Sequence, residues 1–177
     1  PIDLSLHKEL LIKMTIAPFG KLIKRNFILK HKIEFLSGKI YEDLLFTQTI
    51  LFNSPKLSQV PEKLYNYRMR KNSTISNKSS KIYDIFDIFD HLYKYSLEKN
   101  VLDIYKSEID FLMIYHIGIG TIYRLFFAEP LKFIDNIKKC STYLKEHNVT
   151  LNNKYYQEQP LYIKVFIRFF IIDFITR

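Results

Sequence analysis

From Ile82 onward the apolar residues of this chain recur at spacings of three and four, and little interrupts that rhythm before Pro130. Ile82, Ile85, Phe86, Phe89, Leu92 and Tyr93 fall on one helix face, and Asp84, Asp87 and Asp90 fall together on the other as a solvated face. A longer helix is predicted over about 102–127, stopped by Pro130, with further helices over 131–146 and 161–176. Only four glycines and six prolines occur in 177 residues, so obligatory breaks are few and the expected fold class is mostly α with a few short strands. Hydrophobic residues at 47% exclude a disordered chain and are enough for a real core.

The N-terminal half reads differently. Leu4, Leu6, Leu10, Leu11 and Met14 suit a helix that Ala17-Pro18-Phe19-Gly20 ends, and a short basic helix is expected from Leu22 to Lys30. A turn at Leu36-Ser37-Gly38-Lys39 precedes Glu42 and Asp43, which open the next helix where acidic side chains complement the positive end of the helix dipole. Its apolar residues Leu44, Leu45, Ile50 and Leu51 run on to Asn53-Ser54-Pro55. Two short strands are predicted next, over 56–60 and over 63–68, the second from the alternation Leu64, Tyr65, Asn66, Tyr67. Tyr65 and Tyr67 are expected to pack in the core. The polar stretch 70–81 is a loop and marks the best internal boundary, dividing residues 1–78 from a helical extension over 79–177.

The formal net charge is +9, carried mostly by scattered lysines. Two readings fit it: attraction to an anionic partner, or the compositional bias toward Ile, Lys, Asn, Tyr and Phe that AT-rich coding produces. No motif points to nucleic acid, so none is expected as a partner. The single cysteine, Cys140, cannot form an internal disulfide and is expected as a buried small hydrophobe in a reducing, cytoplasmic setting. The chain opens Pro-Ile-Asp-Leu, without an initiator Met or an apolar leader, and is expected to have been cut from something longer. Of the histidines, His31, His91 and His147 are expected at the surface and His116 in an apolar helix. No His or Cys stands at metal-ligand spacing.

Taken alone, Glu42-Asp43 reads as dipole complementation at a helix start. Three blocks in order change that reading: Gly20-Lys21-Leu22-Ile23-Lys24-Arg25, then Phe35-Leu36-Ser37-Gly38-Lys39-Ile40-Tyr41-Glu42-Asp43-Leu44-Leu45-Phe46, then Leu64-Tyr65-Asn66-Tyr67-Arg68-Met69-Arg70-Lys71-Asn72-Ser73. In this order and spacing they resemble the second half of bacterial family 2 glycosyltransferases that build surface polysaccharides, over roughly residues 10 to 100. The resemblance implies the acceptor-side part of a GT-A-type α/β domain, followed by a helical C-terminal bundle. It implies Asp43 as the general base that takes the acceptor proton, with Glu42 its neighbour in the motif. It also implies Arg68, Arg70 and Ser73 as a segment closing over the donor diphosphate or the acceptor, where guanidinium forks would hold phosphate. Lys21 would hold the sheet edge near the site or be solvated. The chain departs from the family with Ile23 in place of a frequent Tyr, and with no Trp near Phe19.

The family's Asp-x-Asp is absent here. A divalent metal, Mg or Mn, is therefore expected in the intact parent with ligands outside this chain, and the chain alone is expected to be inactive. The implied partners are a nucleotide sugar donor and a saccharide or lipid-linked acceptor. The rival reading is a non-catalytic helical interaction or membrane-docking module. The residues of 161–176 are nearly all apolar apart from Lys164, Arg168 and Asp173. A helix of that length spans about 24 Å, short of the roughly 30 Å hydrocarbon core, so it suits a helix lying in a membrane interface, or one packed onto a neighbouring domain. Peripheral membrane contact through 161–177, at the inner face of the membrane, is the corresponding expectation.

Overall fold

The computed structural model describes residues 1–68 and 80–169. Of the residues singled out from the sequence, Arg70 and Ser73 and the last part of the helix expected over 161–176 lie outside the described residues. The described residues are mostly helical, with two short antiparallel strands. Strand β1 (Ile2–Asp3) pairs with β2 (Lys56–Leu57), Ile2 opposite Leu57.

That pairing corrects the N-terminal expectation. The helix anticipated from Leu4 is reduced to α1 (Leu10–Lys13). Asp3 accepts from the N–H (2.9 Å) and the hydroxyl (2.6 Å) of Ser5, so a side-chain-closed turn occupies the place where the helix would begin. No strand forms over 63–68, because an alternating segment becomes a strand only when a neighbour completes its ladder, and none of the described residues pairs with it.

Helix α2 (Arg25–His31) ends at Lys32, which adopts a left-handed conformation with φ 51°. Helix α3 (Glu42–Asn53) starts at the expected residue and buries Leu44, Leu45, Thr47, Gln48, Thr49, Ile50 and Leu51. Buried polar side chains need partners. The Thr47 hydroxyl donates to the Ile16 carbonyl (2.7 Å) and the Gln48 amide to the Leu11 carbonyl (2.8 Å), which fastens the 11–16 segment along α3.

Helix α4 (Asp84–Glu98), preceded by a 3-10 turn at Ser80–Tyr83, buries Ile85, Phe86, Phe89 and Leu92 of the predicted face together with Ile88, which lay outside it, and packs against α3. Each fully buried side chain of this kind contributes about 1.5–3 kcal/mol. The three aspartates are not simply a solvated face. Lys39 donates to Asp84 (3.1 Å) and to Asp87, the Ile40 N–H donates to Asp84 (3.1 Å), and the Tyr143 hydroxyl donates to Asp90 (2.6 Å). The 37–40 turn passes over the start of α4, and its cation and free N–H find the carboxylates there. His147 is not a plain surface residue either: its ring lies between Tyr93 and Tyr143, with Nε2 3.4 Å from Asp90.

Helices α5 (Leu102–Met113) and α6 (Ile122–Ala128) are joined without a break by a π-helical stretch, Ile114–Thr121. The Thr121 hydroxyl donates to the His116 carbonyl, five residues back, at 2.9 Å. The combined helix of 27 residues is long and apolar enough to cross a membrane, but half of its apolar window is buried inside the protein. It also carries the buried carboxylates Glu108 and Asp110. A 3-10 turn (Pro130–Lys132) reverses the chain into α7 (Phe133–Glu146), where Cys140 is buried. The short α8 (Lys154–Gln157), unforeseen from periodicity, is capped by Asn153, whose side chain accepts from the N–H groups of Tyr155 and Tyr156. Helix α9 (Leu161–Ile167) turns Ile167 into the core. One apolar core draws on residues from Leu4 to Ile167, centred on α4 and α5.

Candidate active site

The start of α3 is held in an unusual way. Tyr41, the residue before it, has φ 67° and offers no side-chain cap to the helix. A left-handed tyrosine costs on the order of 1 kcal/mol and persists only where its surroundings fix it. Here Arg124 of α6 donates to the Tyr41 hydroxyl and stacks its guanidinium over the ring at 5.3 Å. Burial raises the phenol's pKa, against the pull of Arg124. On the other side Lys39 and Ile40 are tied to Asp84. The first turn of α3 is thus fixed from α4 and from α6, which lie far away in sequence.

Asp43 sits in that turn, half-buried, with Glu42 beside it. Its carboxylate accepts from the Leu44 N–H at 2.9 Å. Burial pushes the Asp43 carboxyl above its ordinary range, aided by the nearby charge of Glu42, while the Leu44 N–H and Lys21 pull the other way. A carboxyl with raised proton affinity, held on a rigid helix start, is suited to taking a proton from a hydroxyl. Lys21 is brought close enough to act on Asp43 electrostatically, and burial lowers its own pKa. Its ammonium donates to the carbonyls of Thr15 (2.6 Å) and Ala17, so it neither edges a sheet nor is simply solvated: it closes the 15–21 loop on itself.

Within that loop Phe19 stacks on Tyr65 (centroids 4.7 Å) and on Tyr67 (5.1 Å). Both tyrosines are exposed rather than packed in the core, a correction with a plain cause: their alternation serves the Phe19 stack instead of a strand. Arg68 comes next in the chain, exposed, beside this anchored point. Lys21 and Asp43 are therefore neighbours; Arg68 stands at the end of the aromatic segment, and Arg70 and Ser73 are outside the described residues. The Tyr41–Arg124 and Lys39–Asp84 contacts had no local signal in the sequence, since each joins residues more than forty positions apart.

No group of three or more His, Cys, Asp or Glu side chains among the described residues could hold a metal ion. The acidic pair Asp84 and Asp87 of α4 already has the Lys39 ammonium between its carboxylates, so these residues do not fit a divalent cation. Compared with known proteins, the chain matches no family model, no curated protein and no solved structure.

Proposed function

We propose that this chain is the acceptor-side part of an inverting glycosyltransferase of GT-A type, with Asp43 as general base. The observation that carries the reading is the half-buried Asp43 carboxyl, raised in proton affinity by burial and fixed in the first turn of α3 beside Lys21. In the proposed reaction the acceptor hydroxyl gives its proton to Asp43 as its oxygen attacks the anomeric carbon. The bond from that carbon to the nucleotide diphosphate breaks on the opposite face, and the configuration inverts. The direction fixed by a helix start keeps the base in line with the attacking oxygen, where misplacement would cost rate. Glu42 keeps negative charge near the base, and Arg68, Arg70 and Ser73 are assigned to the donor diphosphate or the acceptor.

The nucleotide-binding half and a divalent cation (Mg or Mn) belong, in this proposal, to the intact parent, which would work in the cytoplasm on a saccharide or lipid-linked acceptor. Peripheral membrane contact through 161–177 is part of the same reading. Its support is that Leu161, Tyr162 and Val165 of α9 face outward while Ile167 is buried, which makes this helix apolar on two sides.

The experiment is sugar release from a panel of nucleotide sugars by the longer protein, wild type against Asp43→Asn. Turnover of one donor that falls by a factor of about 100 or more is the expected result. Equal turnover in both proteins removes Asp43 from the role of base.

A further inference from the structure

At the corner where α6 turns into α7, large apolar side chains face outward together. Tyr123 and Phe127 are 63% and 52% exposed, Leu131 in the turn is fully exposed, and Phe126 and Ile134 are about half exposed. Their rings touch in series: Tyr123 to Phe127 at 5.1 Å, Phe127 to Phe126 at 5.1 Å, and Phe126 to Phe133 at 5.0 Å. A contiguous apolar patch of this kind marks a contact surface.

The charges around it are ordered. Lys132 stands next to Leu131 in the turn, and Lys138 lies one helical turn behind Ile134 on the same face of α7, both of them exposed. Lys139 lies over the rings of Tyr83 (4.3 Å) and Phe86 (5.3 Å). Of the acidic groups nearby, Glu129 accepts from the Tyr83 hydroxyl (2.8 Å) and lies 3.9 Å from Lys132. Asp135, exposed in the first turn of α7, has Lys138 and Lys139 three and four residues on. From the tip backward the order is Leu131, then Phe126, Phe127 and Ile134, then Tyr123 and Lys138.

We propose that this corner docks on an anionic phospholipid bilayer, with Leu131 and the phenylalanines in the acyl boundary and the lysines at the phosphates. The apolar tip is a convex turn rather than a groove, which suits a fluid surface. Lys132 flanks Leu131 at the tip and Lys138 lies about 5 Å behind Ile134, one helical pitch, so cations border the apolar patch as an interfacial element requires. This surface is separate from α9 and does not depend on the glycosyltransferase reading.

The chain contains no tryptophan, so Leu131→Trp in the whole chain supplies a single indole at the tip. With phosphatidylcholine vesicles containing a third of phosphatidylglycerol, its emission shifts to the blue and is quenched by brominated acyl chains; with phosphatidylcholine alone it does neither. Partitioning of the otherwise native chain falls by at least about tenfold in Phe127→Ser/Leu131→Ser. It falls by about fivefold for each of Lys132→Gln and Lys138→Gln at low salt. Leu97→Ser, an exposed apolar residue of α4 away from the corner, leaves it unchanged. All these side chains are exposed, so circular dichroism and the melting temperature stay at the native values. The proposal is overturned by absence of vesicle binding, by binding indifferent to the anionic lipid, or by an indole that stays in water while the chain binds. It is equally overturned if Leu97→Ser lowers binding as much as the corner variants do, or if the corner variants instead break up a dimer of this chain in the absence of lipid.

Discussion

Acid should destabilise this fold through His116. The ring lies in the π-helical stretch against Phe89 (centroids 6.2 Å) and Tyr115 (5.4 Å), and burial lowers its pKa from 6.5 to about 4. The unfolded chain takes up the proton near 6.5, whereas the native ring resists until about 4. Stability is therefore complete above 6.5 and is lost as the pH falls toward 4. A gap of about 2.5 at about 1.36 kcal/mol per pH unit sets a ceiling of about 3 kcal/mol, and the ring's partial exposure brings the expected loss to about 2 kcal/mol. The assay is urea unfolding at intervals from about pH 7.5 to 4, for wild type and His116→Leu. Asp43 and Asp110, raised by burial, act in the opposite sense, losing stability as pH rises, but they are common to both proteins and cancel in the difference. As the pH falls toward 4 the wild type should lose about 2 kcal/mol relative to His116→Leu, whatever their difference at neutral pH. Parallel curves, or a His116 ring resonance that titrates near 6.5, would refute the reasoning.

Tyr155→Phe removes the hydroxyl that donates to the buried Glu108 carboxylate at 2.5 Å, and unfolding in urea should show a loss of about 1.5–3 kcal/mol. Asp43→Asn should leave the melting temperature of this chain unchanged or raised at neutral pH, because burial disfavours the charged carboxyl there. The gain should vanish in acid, where the native carboxyl is already protonated; a marked loss at neutral pH would assign Asp43 a structural role. Cys140, buried and with its thiol pushed up to about 12, should resist a thiol reagent in the native chain and react once urea has unfolded it. Rapid native labelling would contradict the packing of α7.

The elements legible in the sequence were those set by local rules. The face Ile82–Leu92 followed from periodicity, and Glu42 marked the start of α3 because acidic residues favour a helix N-terminus. The elements that were misread depended on distant partners. Tyr65 and Tyr67 alternate as strand residues do, but no ladder forms beside them among the described residues, and Phe19 takes their rings instead. Ile2 finds Leu57 across more than fifty residues, a pairing that two-residue strands do not announce. At the candidate site the position of Asp43 was readable, whereas its setting was not. Arg124 reaches Tyr41 across 83 positions, and the burial that raises Asp43 is a property of the packed chain.

The π-helical stretch Ile114–Thr121 has a consequence for how this chain can tolerate insertions and deletions. Each bond to the fifth residue takes up one residue more than an α-helical turn does, so the stretch stores surplus length without rotating α6 about its axis. Wound as plain α-helix, the same residues would rotate α6 by about 100° for each extra residue. Ile122 and Leu125 would then leave the core, and Arg124 would swing away from Tyr41. Deleting one residue between Ile117 and Gly120 should accordingly be borne better than deleting one from α5, whose register has no slack to give up.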